Sequence, residues 1–148
     1  TLPLATLLEL AQNKTQEATR RLGQLQSAQI DAAKKMELLL QYNQEYHEMM
    51  QAQMQEGVSS SWLRNFQHFI ATLEGAIEQQ RALMEQADAK LAQGRTDWQQ
   101  NKRRQNSFNT LADRARRQEA QVLDKREQRD NDERVTRQFQ LRAATSEE

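Results

Sequence analysis

His47 and His68 are the only imidazoles in the chain, and it has no cysteine. No H-x-x-x-H spacing joins the two histidines, so no metal pair is expected. Both read as solvent-exposed residues of a helix. Gly57 stands alone, and no glycine-rich loop is present to cradle a phosphate, so no nucleotide or other cofactor is expected. Carboxylates are many but are spread around polar faces. The side chains that rise above this background are suited to binding. One group is aromatic: Tyr42, Tyr46, Trp62, Phe66 and Phe69. The other is basic: Lys102, Arg103, Arg104, Arg114, Arg116 and Arg117, with only Asp113 opposing them between 102 and 117. Aromatic residues are enriched at binding hot spots, and a basic surface steers an acidic partner.

The elements that carry these groups follow from one repeat. Stepping alternately by four and three from Leu4 gives Leu8, Ala11, Thr15, Ala18, Leu22, Leu25, Gln29, Ala32, Met36, Leu39, Asn43, Tyr46 and Met50. The same steps from Phe66 give Ile70, Leu73, Ile77, Gln80, Met84, Ala87, Leu91, Gly94, Trp98, Asn101, Gln105, Phe108 and Ala112. A seam of period 3.5 on two long segments means two helices wound on one another. The fold expected is all-α: a two-helix antiparallel coiled-coil hairpin with a C-terminal helical overhang. Residues 1–112 form the hairpin and 113–148 the overhang, which frays at its end.

Composition agrees. The 148 residues include one proline, four glycines, 36% apolar and 28% charged residues. Such a chain builds a seam rather than a deep core. Net charge is zero, and aromatic residues are scarce beside the basic run, so nucleic acid is not expected. The absence of cysteine fits the cytosol. No apolar run approaches the ~20 residues that span a bilayer, and no signal-peptide pattern is present. The chain opens on Thr1 rather than methionine, so a few native residues are expected ahead of it.

The first helix should begin with Pro3 in its first turn and Thr1 as a cap, and run to about Glu56. Gly57-Val58-Ser59-Ser60-Ser61 is the break. Gly57 takes the left-handed closing position, and a serine caps the second helix, which begins near Trp62. No stop signal follows before 143–146; Gly75 and Gly94 only weaken the periodicity. So short a break demands antiparallel pairing. Facing residues then have numbers that sum to a constant, and 116 centres the turn in the break. That register sets Trp98 against Ala18, Leu22 against Gly94, Met84 against Ala32, and Thr15 with Asn101 in one polar layer. The paired arm should be roughly 75–80 Å long at ~1.5 Å per residue. Past residue 112 the seam fades, with Glu119, Arg126 and Arg129 interrupting it. The overhang should lean on i,i+4 pairs such as Asp130–Arg134 and Glu133–Arg137, with Val135 and Phe139 as its apolar grip.

Tyr46 and Phe66 are seam residues and read as core. Tyr42 and Phe69 fall at g positions, on one side of the arm with Ala76. There they either widen the seam or bind a partner. The basic stretch reads first as a solvated face, with electrostatic docking as the alternative.

Near the turn, Leu38-Leu39-Leu40-Gln41-Tyr42-Asn43-Gln44-Glu45-Tyr46, Gly57, Trp62, and Asn65-Phe66-Gln67-His68-Phe69-Ile70-Ala71-Thr72-Leu73-Glu74-Gly75-Ala76-Ile77-Glu78-Gln79-Gln80 resemble the FliJ family. Its members are coiled-coil proteins of the bacterial flagellar type III export apparatus. Trp98 and the Lys102-Arg103 pair also fit. The resemblance implies a non-enzymatic adaptor shaped like the central stalk of the rotary ATP synthase. It implies that the terminal ends insert into the hexamer of the export ATPase, where Lys102, Arg103, Arg104, Arg114, Arg116 and Arg117 would make contact. It implies that Leu39, Tyr42, Tyr46, Phe69, Leu73 and Ala76 face the cytoplasmic linker region of the membrane export gate. Export chaperones are further implied partners, and the implied location is cytoplasmic, peripheral to the inner-membrane export apparatus. The equivalent stalk of a virulence secretion system and a free coiled-coil chaperone are the alternatives.

Overall fold

The computed structural model describes residues 3–146. Two helices account for nearly all of them: α1, Leu4–Glu56, and α2, Ser60–Ser146. Thr1, expected as a cap, lies outside the described residues. Pro3 stands one place before the first turn, and its carbonyl accepts the first helical bond, from Leu7 N at 3.1 Å. Its missing N–H therefore costs nothing.

The break between the helices has the expected chemistry. Gly57 has φ 89°, the left-handed conformation that closes a helix cheaply only when there is no Cβ. Ser59 caps α2, which starts slightly before Trp62. Its Oγ accepts the Trp62 N–H at 3.1 Å and its carbonyl accepts the Leu63 N–H at 3.1 Å.

Residues 13–102 form one compact unit. In it α1 and α2 run antiparallel, and every residue of the repeat within it is buried or half-buried. Ala18, Met36, Ile70, Ile77 and Leu91 are the most enclosed apolar side chains. Contacts across the pair fix the register. Thr15 Oγ1 donates to the Asn101 carbonyl at 3.3 Å, and Trp98 Nε1 donates to Thr19 Oγ1 at 2.9 Å. The polar layer thus differs from expectation in one respect. Thr15 donates to the backbone carbonyl of Asn101, while the Asn101 side-chain amide donates to the Asp97 carbonyl at 2.9 Å. Gln80 is another buried polar residue, and its Nε2 reaches the Ala32 carbonyl at 3.0 Å. By contrast, Asn43 Oδ1 is buried without a partner. Polar groups in a seam cost stability and set register, since any slip would leave more of them unsatisfied.

Gly94 lets the helices approach. A Cβ there would stand 2.5 Å from Leu25 Cδ1 and 3.7 Å from Leu22 Cδ1. Around Gly23 and Gly75 a Cβ would meet nothing within 4 Å. Gly23→Ala and Gly75→Ala are therefore expected to stabilise the chain by about 0.5–1 kcal/mol each, through helix propensity. Gly94→Ala should gain nothing or lose stability, because Leu25 must move aside. Thermal melts of the three variants check this ordering.

Residues 1–12 and 103–148 form the second unit. Leu4, Leu8 and Ala11 face the α2 residues Gln105, Phe108 and Ala112, all buried or half-buried. From residue 116 to 146 every α2 residue is exposed. The expected pairs Asp130–Arg134 and Glu133–Arg137 do not form among the described residues. Long exposed side chains lose rotamer entropy for little Coulomb gain, so such pairs are weak. Instead, Thr136 Oγ1 caps the Asp132 carbonyl at 2.8 Å. Val135 and Phe139 project into solvent, Phe139 at 74% exposure.

Candidate binding surfaces and family

Among the described residues no group of His, Cys, Asp and Glu could hold a metal ion. His47 is half-buried rather than fully solvated. Its Nε2 lies 3.4 Å from Glu74 Oε1 across the helix pair. His68 is exposed, as expected. Among the described residues no helix is long and apolar enough to cross a membrane.

Four of the five aromatic residues near the turn, all but Tyr42, form a connected cluster. Trp62 stacks on Phe66, with centroids 4.9 Å apart and planes at 13°. Tyr46 meets Phe69 edge-on at 4.9 Å and Phe66 at 6.1 Å. Offset and T-shaped arrangements are those that the ring quadrupole favours. Tyr46, Phe66 and Phe69 also line a shallow cleft of about 340 Å³ with Trp62 and Asn65. Tyr46 and Phe66 are half-buried, as seam residues should be.

The g positions of the two helices lie side by side, as Arg21 and Asp97 show by pairing at 3.0 Å. On this flank Tyr42 is 41% exposed and Phe69 46%. Leu39, Leu73 and Ala76 are half-buried beneath or beside them. Met49 and Leu83 also lie at g positions and are exposed by about half. Sequence reasoning missed both, although the g–g register that placed Tyr42 and Phe69 would have placed them too. The flank is therefore a run of apolar surface: Tyr42, Met49, Phe69, Ala76 and Leu83. The opposite, e-position flank is mixed: His47, Glu74 and Arg81 lie there, with Leu40 and Met54 exposed by about half.

The basic residues divide. Lys102 is half-buried in the unit formed by residues 13–102. In the other unit, Arg116 is tied to Asp113 at 2.7 Å, one turn back on the same helix. Arg103, Arg104, Arg114 and Arg117 are exposed and make no ion pair among the described residues. Arg103, Arg114 and Arg117 occupy the f and c positions, facing away from the seam. With Asn106, Ser107 and Thr110 between them, they make a stripe of cationic and neutral polar groups.

The sequence matches the family described as "Flagellar FliJ protein" over residues 1–144. It is 34% identical over 111 residues to the flagellar FliJ protein of Salmonella typhi, covering 75% of this chain and 76% of that one. It is 33% identical over 111 residues to the flagellar FliJ protein of Escherichia coli K12, with the same coverage. A match of this extent, on a chain whose two helices pair in the register its heptads demand, leads to one conclusion: the chain belongs to the flagellar FliJ family.

Proposed function

We propose that the chain serves the flagellar protein export apparatus as a non-enzymatic adaptor. Its two working surfaces are the apolar g flank and the arginine stripe. The flank binds the cytoplasmic linker region of the export gate through Tyr42, Phe69 and Ala76, backed by Leu39, Tyr46 and Leu73. The arginine stripe, with Arg104, binds the export ATPase hexamer and promotes its activity in the manner of a central stalk, and Lys102 is a further contact. Export chaperones are further partners, and the protein works at the cytoplasmic face of the membrane.

The exposure of Tyr42 and Phe69 is the observation that carries this reading. Residues that only widened the seam would turn their rings into it, yet these two leave over a third of their surface in water. Exposed aromatic side chains grouped with Met49 and Leu83 are a surface suited to desolvation by a partner.

Tyr42→Ala combined with Phe69→Ala tests it. Binding to the purified cytoplasmic part of the gate should weaken at least tenfold, since each ring is worth about 1–2 kcal/mol at an interface. Helical circular dichroism should stay unchanged and the melting point nearly so. Unaltered gate affinity would remove the flank from the function. A collapsed melting point would assign both rings to the core.

A further inference from the structure

The same flank holds a second feature that the gate reading does not use. Within residues 13–102, Gly94 supplies no side chain at a seam position. The gap is partly filled by Leu25, which lies across it from α1. What remains is an open notch of about 540 Å³ with Leu25 and Gly94 as its apolar floor. Its rim is charged: Arg21 and Asp97 on one side and Lys90 on the other. Arg21 neutralises Asp97 at 3.0 Å. Lys90 forms no ion pair among the described residues, nor does Lys35, which lies on the same flank. Lys35 stands about 15 Å along the axis from Leu25, at ~1.5 Å per residue.

We infer that this notch seats a third helix, supplied by a protein partner, that is amphipathic and acidic. Its apolar residue drops into the notch above Leu25 and Gly94, as a knob enters a hole between two helices. Its carboxylates meet Lys90 on the rim and Lys35 about three turns away. Charge complementarity selects this occupant, because the rim is positive once Arg21 and Asp97 cancel. A free anion would leave the apolar floor unused. A flat lipid surface would not reach between the helices. Nucleic acid would find only two unpaired cations here and no exposed ring to stack on.

The probe is a synthetic helical peptide of about 21 residues, with leucine at a and d and glutamate at e and g. It is compared with the same peptide carrying lysine for glutamate, and with phosphatidylglycerol vesicles. Binding to the full chain is read by fluorescence anisotropy. The acidic peptide should bind and the basic one should not. Lys35→Glu with Lys90→Glu should weaken binding about tenfold, as reversal turns two attractions into repulsions. Arg81→Glu with Arg95→Glu, on the opposite flank, should change it less than twofold. The chain has no cysteine, so Gln93→Cys can carry a bulky maleimide at the notch alone. That cover should also weaken binding about tenfold. Circular dichroism verifies that each variant is folded. Equal binding of the two peptides overturns the proposal, as does indifference to the lysine reversal or to the cover. Vesicle binding with the same lysine dependence overturns it in favour of a lipid surface. Tyr42→Ala with Phe69→Ala should leave peptide binding intact. If that variant abolishes it, the peptide sits on the aromatic patch and the notch is not a separate seat, while the gate reading stands.

Discussion

If the arginine stripe binds the export ATPase as proposed, reversing Arg103, Arg104, Arg114 and Arg117 to glutamate should abolish stimulation of that ATPase. These four guanidinium groups are exposed and lack carboxylate partners among the described residues, so their charge is available to another molecule. Arg116 is left out because Asp113 already holds it. Steering by exposed charge falls off beyond a Debye length, ~10 Å at 0.1 M salt. Stimulation by the unaltered chain should therefore decline as salt rises. The measurement is ATPase rate against added protein at low and high salt. Gate binding should survive the reversal, because the aromatic flank shares no residue with the stripe and belongs to the other compact unit. Undiminished stimulation would dismiss the stripe and leave exposed Val135 and Phe139 as the better contact. Either result bears on α2 alone, since no residue of α1 contributes to the stripe.

Trp98→Ala should be among the most destabilising single changes that leave the seam otherwise intact. The indole covers Ala18, which is only 2% exposed, and donates a hydrogen bond to Thr19. Truncation removes the largest side chain of its layer together with the indole bond to Thr19, whose exposed hydroxyl then turns to water. Complete burial would put the cost at ~3–5 kcal/mol. Trp98 is half-buried, so about 2–3 kcal/mol is expected. Leu91→Ala is the companion. Leu91 is 2% exposed, and its loss should cost about 2–4 kcal/mol. Ala18→Trp should also destabilise, by about 1–3 kcal/mol, because no space exists for a second indole. Urea titration followed by circular dichroism would show these as midpoint shifts with little change in slope. A cysteine pair at positions 18 and 98 should crosslink on oxidation. Preferential crosslinking of 18 to 91 or 105 would mean that the helices pair one heptad away from this register.

Much of this molecule was legible from residue spacing. The heptad needs only one-dimensional information, because a 3.5-residue period places the same residues on one stripe whatever surrounds the helix. The turn was equally local: Gly57 supplies the left-handed conformation and Ser59 the cap, and both act through their own backbone neighbours. The facing pairs followed from the turn, since numbers summing to 116 centre it in the break, and the sizes agree: large Trp98 meets small Ala18. The exposed positions of Tyr42 and Phe69 followed from the same register.

Tertiary structure decided how the crowded and polar side chains were used. Leu25 leans across Gly94 because two helices leave a gap there, and no spacing rule says which neighbour will fill it. Gln80 turns into the seam to reach the Ala32 carbonyl, and Thr15 reaches the Asn101 backbone while the Asn101 amide turns back to the Asp97 carbonyl. His47 finds Glu74 only because the e flanks of antiparallel helices meet. Arg116 turns to Asp113 while Asp130 and Glu133 stay free of their expected arginines. All these choices depend on competition between rotamers in three dimensions. Periodicity says which face a side chain occupies, and only packing says which partner it takes.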